Sequence, residues 1–501
     1  MKMKITQPYF NKLNVLNVLE ININTEKLTH DIDMSKLFTV AVRRNKKRIF
    51  LFVSKVLGKH VAIDPLYVRL AGVLLADSYN INKQGVSLQK KELETLFNND
   101  KLDRNSARKI VNNLYPLNQK TLFIGFAETA TGLGHSMFRA FEGNATFIHT
   151  TREPIISEEP TFIFEEEHSH ATSHACYTKD EHFFEKFDNI VLVDDEVTTG
   201  NTALNLIEAL HKKCGARKYS VVAILDWRNK EQIDKASNLE KKLNIEIDFI
   251  SIVKGDMKYQ ILKELNEKDM IDPELLNAKK NDIYVYHYEK TINKNINKVT
   301  DESISKEINK STYKEIDNHE ESLVTIKIDF NTPHTCITKS EDNKVRRLKY
   351  IDANGRFGIE TKQDREYDVK LEKIGEALKK YRISNRTLCL GTEEFIYIPA
   401  RIAEAMGENV KYQSTTRSPI LTIPKEEYPL NSVMAYHREE DKTVINYIYN
   451  ILPNSYDEVF WFLERDYSIE FKSMIYNAFR KKGIKKVNFV CFADIAEEIY
   501  E

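Results

Sequence analysis

Two adjacent carboxylates, Asp194 and Asp195, are the side chains in this sequence best suited to chemistry. Residues 191–193 before them are apolar and long enough for a buried strand, and a hydroxyl-rich turn follows. That turn contains Thr198, Thr199, Gly200, Asn201 and Thr202. Beyond it, apolar residues recur at the period of an amphipathic helix: Ala203, Leu206, Ile207 and Leu210. Backbone N–H groups at a helix N-terminus bind a phosphomonoester, and adjacent carboxylates accept hydrogen bonds from two sugar hydroxyls. The pattern therefore predicts a phosphate site beside a sugar site.

At these residues the chain resembles the type I phosphoribosyltransferases, and in particular the orotate phosphoribosyltransferases. Their signature is a hydrophobic strand, two acids and a Thr-Thr/Ala-Gly-x-Thr/Ser loop. The resemblance implies an α/β fold with a parallel sheet, 5-phosphoribosyl pyrophosphate (PRPP) as donor, Mg²⁺ as cofactor and a small-molecule base as acceptor. It also implies that Asp194 and Asp195 hold the ribose hydroxyls and assist Mg²⁺, while residues 198–202 bind the 5′-phosphate. An ordinary strand-to-helix turn would not need two carboxylates at the end of a buried strand. A P-loop is excluded, because no Gly-Lys-Ser/Thr follows the glycine.

A second strand, loop and helix are predicted at residues 121–126, 127–131 and 132–141. The resemblance implies that Ala127, Glu128 and Thr129 lie in the loop that binds pyrophosphate. The alternative is a simple helix N-cap, with Thr129 or Thr131 as the capping residue. A dinucleotide fingerprint is not favoured, because Met137 stands where its third glycine would be.

A third strand, residues 145–149, leads to Arg152, the best candidate cation for the pyrophosphate. The resemblance implies that residues 155–185 contain a mobile hood loop, in which Glu166, Glu167, His168 or His170 meets the substrate on closure. Related orotate enzymes carry lysines in this loop, so the identity of any general acid or base stays open. A zinc site formed by His168, His170, His174 and Cys176 is the other interpretation, but their spacing matches no standard structural site.

Six basic residues lie near the N-terminus: Arg43, Arg44, Lys46, Lys47, Arg48 and Lys55. They form either a solvated turn or, with Lys59 and His60, part of a site for an anionic substrate. No interleaved aromatic residues are present to stack on bases, so we expect no nucleic-acid partner.

The composition of the 501 residues is that of a chain with two to four globular domains. Lysine and arginine number 74 and aspartate and glutamate 75, so no global charge favours nucleic acid or a membrane surface. Five cysteines without a Cys-x-x-Cys pair predict reduced thiols and a cytoplasmic location. No apolar run approaches the length of a membrane span, and a homo-oligomer is compatible with the sequence.

The last part of the chain repeats the first at a nearly constant offset. Residues 122–125 are echoed by 388–391 and Glu128 by Glu394, with 394 − 128 = 266. Thr150–Ile155 is echoed by residues 415–420, with Arg417 for Arg152 and 417 − 152 = 265. The helix stop Gly215 is echoed by Gly483, with 483 − 215 = 268. A second, degenerate α/β domain of similar pattern is therefore predicted. It has lost the acid pair, because residues 459–470 contain no two acids followed by a threonine-glycine loop.

The second copy resembles the TRSP domain, named for residues such as Thr416, Arg417, Ser418 and Pro419. That domain follows a phosphoribosyltransferase domain in bacterial gene clusters of the tellurite-resistance type. The turn that contains these residues is either a second anion or substrate site or a turn that these side chains merely fix. The predicted domains are residues 1–285, a polar linker at 286–325, and residues 326–501.

The predicted function is phosphoribosyl transfer from PRPP to an unidentified base, in the synthesis of a nucleotide-like metabolite. The alternatives are a regulatory or stress-response protein that binds PRPP or a nucleotide without turnover, and the reverse or hydrolytic reaction on a nucleotide-like metabolite.

Overall fold

The structure is a computed structural model that describes residues 9–43, 48–165, 173–178, 180–215, 218–263, 284–286, 313–317, 322–330, 333–340 and 343–499. We call the described residues up to 263 the first half and those from 284 the second half.

The first half is built around a mainly parallel sheet. Its elements are β1 (Tyr9–Val15), β2 (Leu19–Leu28), α1 (Met34–Leu37), β3 (Phe38–Val42), β4 (Phe50–Ser54), α2 (Leu66–Gln84), α3 (Lys90–Asn98), α4 (Arg104–Asn112), β5 (Tyr115–Pro116), β6 (Thr121–Gly125), α5 (Thr129–Arg139), β7 (Phe141–Glu142), β8 (Ala145–His149), β9 (Phe162–Glu165), β10 (Ser173–Cys176), β11 (Asn189–Val197), α6 (Asn201–Cys214), β12 (Lys218–Asp226), α7 (Lys230–Leu243) and β13 (Glu246–Ile261).

The core strands of this sheet are parallel in the order β13-β12-β11-β6-β8, and β2 and β1 extend the β13 edge in antiparallel pairing. Strands β6 and β8 are buried at every residue, which explains their continuous apolar sequences. Because parallel strands end at the same edge, the loops after β6, β8, β11 and β12 lie together, where open α/β sheets bind ligands.

The second half contains a second parallel sheet. Its elements are β14 (Tyr284–Tyr286), β15 (Tyr313–Asp317), β16 (Leu323–Ile328), β17 (Pro333–Lys339), β18 (Val345–Ile351), β19 (Ile359–Glu360), α8 (Thr361–Leu378), β20 (Thr387–Gly391), α9 (Tyr397–Ala405), β21 (Val410–Ser414), β22 (Val433–His437), β23 (Ile445–Tyr449), β24 (Glu458–Leu463), α10 (Ile469–Lys481), β25 (Lys486–Cys491) and β26 (Glu497–Ile499).

The two sheets have the same spatial arrangement. The second runs β16-β25-β24-β20-β21, and these five strands are parallel to one another. Strand β16 takes the place of β13, although it precedes the other four strands in the chain and β13 follows its own. The predicted pair of similar α/β domains is thus confirmed, with a different chain connection at one edge.

Equivalent hydrogen bonds in the loops reproduce the repeat at atomic detail. Thr150 N donates to Gly125 O and Thr415 N to Gly391 O, both at 2.9 Å. Ile155 N donates to the hydroxyl of Tyr177 at 3.0 Å, as Ile420 N does to that of Tyr449 at 2.8 Å. Tyr177 directly follows the hairpin β9–β10 and Tyr449 is the last residue of the hairpin β22–β23, so the hairpin after the third strand is repeated as well.

The predicted equivalence of Glu128 with Glu394 holds for the backbone, because Ala127 N donates to Thr150 Oγ1 at 2.9 Å and Glu393 N to the equivalent Thr415 Oγ1 at 3.0 Å. The side-chain role, however, has moved to Glu393. Glu128 and Glu393 both have a left-handed backbone, with φ of 65° and 50°. Each pairs with the arginine 24 residues later, since Glu128 contacts Arg152 and Glu393 contacts Arg417.

The halves are packed against each other and share a hydrophobic core. Strand β19 of the second half pairs with the edge strand β8 of the first. Helix α5 packs on α9 so closely that a Cβ on Gly132 would lie 2.4 Å from Ile396 Cγ2. Buried Asp364 of the second half pairs with His135 at 2.7 Å and with Arg139 at 2.8 Å.

Element boundaries differ from the predictions mainly where polar residues are buried. The apolar pattern that begins at residue 65 predicts a helix as far as about residue 76, but α2 continues to Gln84, where Gly85 ends it with φ of 73°. Asp77, which breaks the apolar pattern, is inside the protein and is bonded to His30 at 3.0 Å and to Tyr115 at 2.8 Å. Burial of a polar side chain with partners is invisible to a periodicity argument.

The predicted linker, 286–325, lies mostly outside the described residues. Within it the structure describes Tyr286, Tyr313–Asp317 and residues 322–325, and β15 and β16 belong to the second sheet. The five cysteines are all described and carry free thiols. None of the helices in the described ranges is long and apolar enough to cross a lipid bilayer.

The contact between the halves predicts that Asp364→Asn destabilises the protein. Removing this charge leaves buried His135 and Arg139 with one partner fewer, and Arg139 retains Asp368 at 3.1 Å. We expect a loss of about 2–3 kcal/mol in the free energy of unfolding, measured by urea denaturation. Asp234→Asn, in the exposed pair with Lys230, is the control and should cost about 0.5 kcal/mol or less. Equal effects of the two substitutions would contradict the interpretation.

Candidate functional site at the junction of the two halves

The sequence predicted that the acid pair directly follows a strand, but the structure places the pair inside strand β11. Pairing with β6 stops at Val193↔Gly125, but pairing with β12 continues to Val197↔Asp226. Asp194 and Asp195 are therefore half-buried residues in the part of β11 that no longer pairs with β6. Phe126 N donates to Val193 O at 3.2 Å, which places the loop after β6 beside the acids.

The threonine-glycine loop that follows β11 leads directly into α6, as predicted. Gly200 caps the helix in a left-handed conformation, with φ of 78°, and a Cβ there would lie 3.0 Å from Arg228 Cδ. Thr199 Oγ1 accepts a hydrogen bond from Asn201 N at 3.3 Å. The first N–H groups of a helix have no intrahelical acceptor, so this 14-residue helix presents donors at the loop.

Glu128, in the loop after β6, carries the strongest charge interactions at this edge. Its carboxylate pairs with Lys59 at 2.8 Å and with Arg152. Although burial raises the pKa of Glu128, the charges of Lys59 and Arg152 lower it well below its usual range. Burial would likewise lower the pKa of Lys59, but Glu128 and then Asp195 raise it. Lys59 is therefore the member of the basic N-terminal group that reaches the site.

Thr129 is the first residue of α5, and its hydroxyl is buried without a hydrogen-bond partner among the described residues. The N-cap position belongs to Glu128, whose side chain makes no capping bond. Thr131 Oγ1 donates to Glu128 O at 2.7 Å. The interpretation of this loop as a simple helix N-cap is thus wrong, and the buried Thr129 hydroxyl has no capping role.

Arg152 is held by contacts from both halves. Its Nε donates to His174 Nε2 at 3.2 Å, and its backbone N donates to Glu394 Oε1 of the second half at 3.0 Å. Thr151 Oγ1 donates to the other oxygen of Glu394 at 2.7 Å. The position of the predicted pyrophosphate cation therefore depends on a residue 242 positions away in the chain.

A cleft of about 320 Å³, which we call the junction cleft, opens between the halves at this point. The first half contributes Lys59, Glu128, Thr129 and Arg152, and the second contributes Glu393, Glu394, Ile396 and residues 414–417. A smaller cleft of about 290 Å³ lies beside Asp195 and is largely apolar, lined by Leu37, Phe38, Phe52, Ser54, Leu57, Asp195, Glu196, Ile224 and Leu225.

Other predicted residues lie elsewhere. Lys55 donates to Ser35 O at 2.9 Å, and His60 is buried against the ring of Tyr449. Glu196 is a third acid, directly after Asp194 and Asp195. It pairs with Arg48 at 2.6 Å, which accounts for its presence there. Burial raises the pKa of Glu196 despite Arg48. Arg44, Lys46 and Lys47 lie outside the described residues.

The hood loop is described only in part. Glu166, Glu167, His168 and His170 lie outside the described residues, so their predicted role stays a prediction. His174 contacts Arg152, and burial raises the pKa of the Cys176 thiol. Zinc binds the thiolate form of cysteine, and a buried thiol of raised pKa is mostly protonated, so this observation does not favour the zinc interpretation.

The sequence missed a group of buried ion pairs behind the cleft. Arg356 pairs with Glu394 at 2.8 Å and with Glu464 at 3.3 Å. Glu153 pairs with Arg465 at 3.1 Å and with Arg438. In the sequence these ion pairs were indicated only by a run of charged residues, 464–466, at the place where the second copy lacks the acid motif.

His149, which ends β8 behind the cleft, predicts an acid sensitivity. Burial, helped by the charge of Arg356, lowers its pKa to about 4, so it stays neutral in the folded state. The unfolded chain takes up a proton near pH 6.5, and the stability due to neutral His149 is lost as pH falls from 6.5 to 4. Between pH 7 and 5 this amounts to about 2 kcal/mol.

We therefore expect His149→Asn, which can keep the hydrogen bond to Thr150 O, to lose less stability over that range than the natural sequence. Urea denaturation at pH 7, 6 and 5 measures the difference in slope. His60 is common to both proteins and cancels in the comparison. Identical slopes would show that His149 is not the group responsible.

Residues 37–256 match the family described as phosphoribosyl transferase, and residues 353–479 match the TRSP domain found C-terminal to it. No curated protein sequence matches the chain.

Similar solved structures include three adenine phosphoribosyltransferases. The enzyme from Trypanosoma brucei, in complex with AMP, pyrophosphate and ribose-5-phosphate, is 20% identical over 28% of this chain, with a TM-score of 0.21. This chain spans 59% of that enzyme's length. The enzyme from Rhodothermus marinus is 11% identical and that from Giardia lamblia 12%, each over 44% of this chain and over 95% and 96% of its own, with TM-scores of 0.24 and 0.25.

The family matches fall on the two halves that the structure shows, with the acid pair and its loop inside the first match and Arg417 inside the second. The chain is thus a phosphoribosyl transferase domain followed by a TRSP domain.

Proposed function

We propose that the protein transfers a 5-phosphoribosyl group from PRPP to a nitrogen base of a small molecule, with Mg²⁺. The observation that carries this proposal is the position of Asp194 and Asp195. They precede the threonine-glycine loop of α6 and lie beside the loop after β6. A sugar with a phosphate on one side and a diphosphate on the other needs such a set of neighbouring groups.

Each group has a role in the proposed reaction. Asp194 and Asp195 accept hydrogen bonds from the ribose hydroxyls. The loop 198–202 and the N-terminus of α6 bind the 5′-phosphate through N–H groups and hydroxyls. Residues 127–129, Arg152 and Lys59 bind the pyrophosphate and stabilise the charge that develops as it leaves.

The donor set fits Mg²⁺, which takes oxygen ligands and is usually bound by one or two carboxylates together with substrate phosphates. Asp194 and Asp195 would supply those carboxylates. When bound, the ion neutralises charge on the departing pyrophosphate. The backbone N–H of Asp195 donates to Asp194 Oδ1 at 2.8 Å, which fixes the Asp194 carboxylate relative to the strand.

The acceptor base would bind in the apolar cleft beside Asp195. Phe38 and Phe52 form part of its wall, and Phe52 stacks on Trp227 with the ring centroids 5.2 Å apart. A flat, weakly polar wall next to the sugar site suits a planar heterocycle.

Exclusion of water would come from the hood hairpin β9–β10, because a cation-like sugar in the transition state reacts readily with water. Residues 166–172, which follow β9 in the sequence, carry the acids and histidines predicted to meet the substrate on closure. The alternatives, donor sensing without turnover and the reverse or hydrolytic reaction, use the same groups, so turnover measurements distinguish them.

The acid pair gives the first test. We expect calorimetric titration with PRPP and Mg²⁺ to show binding that Asp194→Asn/Asp195→Asn weakens about 100-fold, since two charge-assisted hydrogen bonds are lost. Asp188→Asn is a matched control, because Asp188 is an exposed aspartate just before the other end of β11. It should bind PRPP like the natural sequence. Failure of the natural protein to bind, or equal loss in the control, would contradict the proposal.

Turnover is the second readout. The full chain is incubated with PRPP, Mg²⁺ and a panel of purine, pyrimidine and pyridine bases, and pyrophosphate release is measured. Release that depends on a base supports transfer, and release without a base supports hydrolysis. Tight PRPP binding with no release under any condition favours the sensing alternative.

A further inference from the structure

We infer that the second half completes the pyrophosphate site: Arg417, with its neighbouring hydroxyls, binds the same diphosphate as Arg152 and Lys59. The inference rests on the proposed function for the identity of the donor, but its diphosphate chemistry can be tested alone. The ligand would lie across the junction cleft, with one phosphate on each half.

Shared lining of the cleft is the first support. Its wall contains Glu128 and Arg152 from one loop pair and Glu393 and Arg417 from the equivalent pair of the other half. Both loop pairs have the same left-handed glutamate and the same glutamate–arginine contact. Two copies of one anion-binding loop therefore open into a single cavity.

Arg417 has a hydrogen-bond donor that is available to a ligand. Its Nε and Nη2 both donate to one oxygen of Glu393, and its Nη1 makes no hydrogen bond within the described residues. The side chain is 21% exposed and lines the cleft. Burial would lower the pKa of Arg417, but Glu393 raises it, so the guanidinium remains charged. An arginine that merely fixed a turn would not need to line a cavity.

Hydroxyl groups supply further donors. Thr129 Oγ1 lines the cleft, is buried and has no partner among the described residues. Thr416 Oγ1 accepts from Ser418 N at 3.1 Å, which leaves its own hydrogen for another acceptor. A buried hydroxyl without a partner is costly unless a ligand satisfies it.

Glutamates hold the cations in the ligand-free cleft. Lys59, Arg152 and Arg417 line it together with Glu128, Glu393 and Glu394, three positive charges against three negative ones. A diphosphate must compete with Glu128 and Glu393 for these cations. Neutralising Glu393 should therefore strengthen binding, whereas removing Arg417 should weaken it.

The test is calorimetric titration of the full-length protein with inorganic pyrophosphate and Mg²⁺. We expect Arg152→Ala and Arg417→Ala each to weaken binding about tenfold or more, because each removes a charge-assisted contact. Arg417→Lys should recover part of the loss. Arg386→Ala is the control, since Arg386 pairs with Asp457 at 2.6 Å and does not line the cleft; it should leave the affinity unchanged.

Glu393→Gln carries the test if Arg417→Ala does not fold. Glutamine can still accept from Asn446 Nδ2, which lies 2.7 Å from Glu393 Oε1, so the loop should keep its shape. Pyrophosphate affinity should then rise several-fold, a gain that damage to the fold cannot produce. Inorganic phosphate, which fills one subsite at a time, should respond less to either substitution.

The outcomes separate this inference from the proposed function. Pyrophosphate binding that depends on Arg152 but not on Arg417 or Glu393 overturns the inference and leaves the proposed function standing. Pyrophosphate binding that depends on Arg417, in a protein that fails to bind PRPP, supports the diphosphate site and overturns the proposed donor. No pyrophosphate binding by the natural protein overturns the inference, and the PRPP titration then decides the proposed function independently.

Discussion

The carboxylate of Glu394 is the contact on which the geometry of the site depends. It accepts from Thr151 and from the backbone of Arg152 in the first half, and it pairs with Arg356 of the second. Burial raises its pKa, but Arg356, His149 and the Arg152 N–H together outweigh burial, so the pKa of Glu394 is lowered and the group stays charged. A buried charge with three partners in fixed directions holds those partners in one arrangement.

Around Glu394 the ion pairs form two groups, which the hydrogen bond from Arg152 N to Glu394 joins. The acids of the two groups are Glu128, Glu153, Glu393, Glu394, Glu440 and Glu464, and the cations are Lys59, Arg152, Arg356, Arg417, Arg438 and Arg465. Buried ion pairs gain little net stability over apolar packing, but loss of one partner is costly. The network thus fixes how the halves meet more than it stabilises either of them, and it keeps the cations of the cleft neutralised before a ligand arrives.

The same network shows how the second copy lost its sugar site. Strand β24 pairs with β20 through Thr387↔Glu458, as β11 pairs with β6 through Thr121↔Asn189. Carried forward five residues, this register puts Leu463 and Glu464 where the first half has Asp194 and Asp195. Leu463 cannot accept a hydrogen bond, and Glu464 is tied to Arg356. The second half kept the glutamate–arginine loop pair, as Glu393 and Arg417, and at the position of the acids it has an ion pair within the second half.

The sequence by itself determined the features that depend on local pattern: the strand, acids, threonine loop and helix around Asp194, the order of strands and helices, and the repeated halves. These follow from side-chain periodicity and turn chemistry within a few residues. It placed the end of β11 too early, because pairing with β12 extends that strand through charged residues. It also ended α2 too early, because buried Asp77 has partners far away in the chain.

Only the tertiary structure decided which charges meet. Lys59 reaches Glu128, Glu394 holds Arg152, and Arg417 opens into the same cleft as Arg152. Each of these relations joins residues separated by tens to hundreds of positions. Ion pairs follow no period along the chain. Which charges become partners is decided when the loops at the edges of the two sheets pack against each other. For that physical reason the sequence revealed the acid motif of the first half, and only the folded chain showed that the second half lines the same cleft.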